Sequence, residues 1–132
     1  MRITHFFADI DRDPRDIYID LLNGKSLIGK ELEKSRNPYI YVKWHNAFRT
    51  QCKTDSELEK NVFRIQFEDL VENYSNVVPI IEEFLGLNPN DHKRPKEFFD
   101  PDKSKRNVGL WKKYAGKKEI EVITNEILNK YN

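Results

Sequence analysis

Apolar positions along this chain fall into short runs separated by capping residues, prolines and charge. Residues 3–10 are apolar and aromatic, and the turn-like Asp11-Arg12-Asp13-Pro14 follows them. That pattern predicts a short buried strand. A helix is expected next, with Asp13 as N-cap, Pro14 at the first helical position and Asp16 in the first turn near the positive end of the dipole. Ile17 and Leu21 would share its inner face, and Gly24 would stop it. Residues 25–35 predict a short helix or lid. Asn37-Pro38 repeats the cap-then-proline signal, and Tyr41, Trp44, Phe48 and Cys52 then recur at helical spacing. Tyr39-Ile40-Tyr41-Val42 reads equally well as a strand, and periodicity does not separate the two.

Residues 62–67 alternate, Val62, Arg64 and Gln66 against Phe63, Ile65 and Phe67, and predict a second strand. Ser75 is a candidate cap for a helix with Pro79 in its first turn, an inner face of Val77, Ile81, Phe84 and Leu85, and a stop at Gly86. Residues 88–105, with Pro89, Pro95 and Pro101, predict a long loop. Residues 108–114 predict a short helical piece ending near Gly116, and Ile120, Ile123 and Ile127 the inner face of a terminal helix. Strands alternating with helices predict a helix-rich α/β fold, with few parallel strands and flanking helices, in one domain spanning residues 1–132. Two strands alone make a poor sheet.

Composition narrows the function classes. The 132 residues are 34% charged, 38% hydrophobic and 12% aromatic. The aromatics and the periodic apolar segments argue for a folded core against the disorder that such charge would otherwise suggest. A net charge of +1 gives no global electrostatic case for nucleic acid or a membrane surface as partner. The single cysteine, Cys52, excludes an internal disulfide and a thiolate metal cage. No apolar run reaches the roughly 18 residues of a membrane span and no signal peptide is evident, so a cytoplasmic protein is the expectation.

Three segments are candidates for chemistry. Arg12 and Arg15, among Asp11, Asp13 and Asp16 at a strand end, form either a phosphate fork beside free helix N–H groups or a surface salt-bridge cluster. Glu68 and Asp69, at the end of the second strand, are either acid–base groups or caps of the next turn. Residues 93–118 hold ten Lys or Arg against three acids, a local net of +7. Within them Ser104, Lys105 and Arg106 precede a helical piece, an arrangement suited to a phosphate, or else to a solvated basic face. Trp111 would stack on a base or anchor the core. His5, His45 and His92 show no metal-ligand spacing, and no metal site is expected. The five glycines (24, 29, 86, 109 and 116) form no phosphate loop.

In this order the segments resemble the sulfotransferase family. Asp9-Ile10-Asp11-Arg12-Asp13-Pro14-Arg15-Asp16-Ile17-Tyr18-Ile19 is similar to the family's 3′-phosphate segment. Arg64-Ile65-Gln66-Phe67-Glu68-Asp69-Leu70 is similar to its "YEDL" strand end, and Phe84-Leu85-Gly86-Leu87 to the end of the following helix. Asn107-Val108-Gly109-Leu110-Trp111-Lys112 is similar to its late "GxWK" segment. The resemblance covers the C-terminal half of the family fold and implies a partial P-loop-NTPase-like sulfotransferase domain. The family's phosphosulfate loop and catalytic base correspond to nothing in these residues, so no catalytic residue is assigned. The implied co-substrate is 3′-phosphoadenosine 5′-phosphosulfate, with Arg12, Ser104, Lys105 and Arg106 on its 3′-phosphate. The implied reaction is sulfuryl transfer to an acceptor hydroxyl or amine. The implied partner is an upstream polypeptide supplying the N-terminal half. Two positions depart from the family pattern: Asp20 stands where a serine is usual, and Phe67 where a tyrosine is. A degenerate nucleotide-binding module, or a helical interaction module without catalysis, is the alternative.

Overall fold

The computed structural model describes residues 7–51, 62–93, 96 and 99–131. The protein is a helix-rich α/β structure with a small parallel sheet. Its described residues gather into two compact units. Those through Arg12 and from Val62 to Val108 form the first, and those from Asp13 to Gln51 and from Gly109 to Tyr131 form the second.

The first unit holds the sheet. Strand β1 (Phe7–Asp11) pairs in parallel with β2 (Val62–Gln66), Ile10 opposite Ile65 and Asp11 opposite Gln66. The strand expected over residues 3–10 is thus described from Phe7 onward, and residues 3–6 lie outside the described part. Ile65 is buried, but Ile10 is 53% exposed. The expectation of a buried strand therefore fails at Ile10. Among the described residues β1 pairs with one strand, β2. Helices α4 (Phe67–Glu72) and α5 (Tyr74–Leu85) follow β2 directly. Leu70 and Val71 of α4 are buried, and the Phe84 ring of α5 packs 5.3 Å from that of Phe63. Glu68 and Asp69 fall in the first turn of α4, where carboxylates favour the helix dipole. Ser75 is not a cap. The cap sits two residues earlier, at Asn73, which closes α4 and opens α5 at once, and Pro79 therefore lies inside α5. Gly86 ends it with φ +70°, the left-handed conformation that glycine adopts without a Cβ penalty. The predicted loop over 88–105 contains a 3-10 turn (Pro89–Asp91) and a helical turn α6 (Pro101–Ser104). Asp100 caps α6 through the Asp102 amide, with Pro101 at its first position.

The second unit is helical. Helix α1 (Pro14–Asn23) begins as expected, with the Asp13 carboxylate accepting from the Arg15 amide, and it closes at Gly24. Its buried face is Tyr18, Ile19 and Leu22; Ile17 and Leu21 flank it half-buried. Helix α2 (Leu27–Ser35) is capped by Ser26, and α3 (Pro38–Gln51) settles residues 39–42 as helix. The terminal segment runs from α7 (Lys117–Ile123) through a π-helical stretch (Thr124–Leu128) into α8 (Asn129–Tyr131). Ile120, Ile123 and Ile127 line its inner face as expected, and they join Tyr18, Leu22, Leu32, Tyr41 and Val42 in one core. Burial of this apolar surface drives the packing. No helix of the described residues is long and apolar enough to cross a membrane.

Candidate functional site

In the first unit, the parallel register that pairs Asp11 with Gln66 brings the next residues, Arg12 and Phe67, off the carboxyl ends of the two strands. Ligands of open parallel sheets gather at such ends. The Arg12 guanidinium lies over the Phe67 ring, its central carbon 5.3 Å from the centroid. Its Nη2 donates to the Asn107 carbonyl at 2.7 Å, across 95 residues of sequence. Asn107 closes the 3-10 turn Lys105–Asn107, which follows α6 without a break.

The four predicted residues therefore belong to one unit and come together in part. Arg12 is half-buried and reaches the turn holding Lys105 and Arg106, whose own side chains are exposed. Ser104 ends α6 half-buried, its amide donating to the Asp100 carbonyl at 3.0 Å. Lys105 lines an open depression of about 260 Å³, together with Asn73, Tyr74, Lys96 and Asp102; Arg12 does not line it. Both arginines and the lysine are charged side chains suited to an anion, and Arg12 is oriented by its contacts with Asn107 and Phe67. Phe67 was not legible as a participant, because its place under Arg12 depends on the strand register. Its own ring meets Phe99 edge-on at 6.2 Å, and Phe99 stacks on Tyr74 at 6.2 Å.

In the second unit, Asp16 takes a role that sequence did not specify, and Trp111 takes the core-anchor reading of its two. Asp16 is almost wholly buried and accepts from the Gly109 amide at 2.9 Å and the Trp111 amide at 3.0 Å. It pins the turn Leu110–Lys112 to α1. Trp111 is half-buried against the core, with the Arg15 guanidinium 3.7 Å from its ring centroid, so it acts as an anchor. Arg15 is held in turn by Asp13 at 2.8 Å. Of the two readings of the Asp13–Arg15 pair, a local salt bridge is the one present.

The same unit holds a network around Glu119. Both Tyr18 and Tyr114 donate their hydroxyls to Glu119, and Arg36 donates to the Tyr114 oxygen at 2.9 Å. Burial, reinforced by the bond to the Glu119 carboxylate, pushes the Tyr18 and Tyr114 hydroxyls above the usual phenol range. Asp20 is exposed on α1, His45 is buried on α3 and His92 is exposed. His5 and Cys52 lie outside the described residues. No group of three or more His, Cys, Asp or Glu among the described residues is placed to hold a metal ion.

No family model, curated protein or solved structure matches the chain.

Proposed function

We propose that this chain forms the 3′-phosphate side of a sulfotransferase-type site, with Arg12, Ser104, Lys105 and Arg106 gripping 3′-phosphoadenosine 5′-phosphosulfate. The observation that carries this reading is the bond from Arg12 at the end of β1 to Asn107 in the basic turn, made across 95 residues. Solvated cations gain by keeping apart. Drawing an arginine to the segment of Lys105 and Arg106 is favourable when an anion is to be held there, because several donors around one phosphate offset its desolvation. The finer architecture, a partial P-loop-NTPase-like fold, belongs to the same proposal. The parallel order of β1 and β2, with Arg12 at a carboxyl end, supports it. The reaction would be in-line sulfuryl transfer to an acceptor hydroxyl or amine, with the transferring group and acceptor handled by residues of a partner polypeptide.

The test is calorimetry with adenosine 3′,5′-bisphosphate. Wild-type protein is expected to bind it, and Arg12→Ala to weaken binding by about tenfold or more, as loss of a charge-assisted bond implies. Equal affinity in both, or none in either, overturns the proposal. The alternative, a helical interaction module, is favoured by one observation: Leu27 on α2 and Tyr39 and Phe48 on α3 are large apolar side chains left 54–89% exposed.

A further inference from the structure

An arginine that is to receive a phosphate must hold its fork still, because a long side chain with free rotamers loses entropy on every binding event. Two contacts restrain Arg12 here. The Asn107 carbonyl takes Nη2 at 2.7 Å, and the Phe67 ring lies beneath the guanidinium at 5.3 Å. A ring face attracts a cation through its quadrupole, and a planar guanidinium suits it better than a compact ammonium. The ring also meets Phe99 edge-on at 6.2 Å, and Phe99 stacks on Tyr74 at 6.2 Å. Phe67 sits there because β2 ends at Gln66, opposite Asp11, and the chain turns into α4 at once.

From these contacts we infer that Phe67 is a positioning residue for the Arg12 phosphate fork, acting through its ring face and without touching the phosphate. The inference rests on the 3′-phosphate reading of Arg12. It makes a hydroxyl at position 67 dispensable: the ring is what matters.

Calorimetry with adenosine 3′,5′-bisphosphate on the 132-residue chain separates the possibilities, with amide and arginine Nε NMR as a second readout. Phe67→Leu is expected to weaken binding about three- to tenfold, the scale of a partly desolvated cation–π contact. Phe67→Tyr, which keeps the ring, is expected to retain wild-type affinity. In an Arg12→Ala background Phe67→Leu should add no further loss, since the two act as one unit. The Arg12 Nε–H resonance should carry a ring-current shift that Phe67→Leu removes and Phe67→Tyr restores, which a merely structural role of Phe67 would not produce. Should Phe67→Leu fail to fold, Phe67→Met and the wild-type ring-current shift serve instead. If Arg12→Ala weakens binding and Phe67→Leu does not, the positioning role is wrong and the phosphate reading stands. An equal loss from Phe67→Leu with and without Arg12 also overturns the positioning role. No binding by the wild-type chain overturns both.

Discussion

Asp16 is an almost wholly buried carboxylate, and its two oxygens each take a backbone amide, from Gly109 and Trp111. Removing the side chain leaves two part-buried donors without their acceptor, so Asp16→Ala is expected to cost about 2–3 kcal/mol, readable as a lower urea midpoint with an unchanged slope. The Glu119 network gives a second prediction at this scale. Tyr18 and Tyr114 hold their protons more tightly in the folded chain than a free phenol with its pKa of about 10. Their contribution is therefore complete below about pH 10. Above it the unfolded chain sheds protons first, and stability falls as pH rises. Urea unfolding from pH 7 to 11 should show a plateau followed by a decline. Tyr18→Phe should make that decline shallower while costing about 1.5–3 kcal/mol near neutrality, the scale of one hydrogen bond to a charged group. A decline of unchanged steepness in Tyr18→Phe would place the alkaline sensitivity elsewhere.

Between elements, the close crossing of α1 and α2 depends on Gly29. A Cβ there would lie 2.3 Å from the Leu21 carbonyl oxygen, a backbone atom that yields only if α1 moves. Alanine is the better helix former by about 1 kcal/mol, yet overpacking against backbone costs about 1–3 kcal/mol, so Gly29→Ala should destabilise on balance. Thermal unfolding checks the sign. Capping signals made the element order legible: Asp13-Pro14 and Asn37-Pro38 open helices where their chemistry says they should. Inside residues 88–105, which read as a loop from their three prolines, Asp100-Pro101 opens α6 by the same chemistry. The strand–helix ambiguity at residues 39–42 needed tertiary context: Tyr41 and Val42 are both buried, on a helix face that no two-residue alternation describes. Of the candidate site, Arg12 and the basic turn were legible as separate segments and became related only through family resemblance. Phe67 under Arg12 was not, because strand register is a pairing between distant segments. Asp16 looked like a dipole residue, since its true partners lie 93 and 95 residues away.

At the scale of the whole molecule, charge is nearly balanced at +1, while residues 93–118 alone carry +7. A locally cationic segment on a nearly neutral chain suits a small dianion better than a polyanion, whose affinity would need a broad basic surface. Gripping a 3′-phosphate is nevertheless distinct from moving a sulfuryl group. In-line transfer requires donors aimed at the charge developing on the transferring group and a base on the acceptor, and such preorganised electrostatics is usually the largest single contribution to catalysis. The five glycines stand apart at 24, 29, 86, 109 and 116 and form no glycine-rich phosphate loop. On the proposed reading, the 132-residue chain should bind adenosine 3′,5′-bisphosphate yet release no labelled sulfuryl group to phenols, sugars or amines above the buffer rate. Adding a polypeptide that carries a lysine-bearing phosphosulfate loop and a base should restore transfer, and Arg12→Ala should then weaken the donor's apparent affinity. Turnover by the chain alone, in protein freed of host enzymes, would mean that residues given no catalytic role here can stabilise the transferring group, and the division of labour between two polypeptides would have to be abandoned.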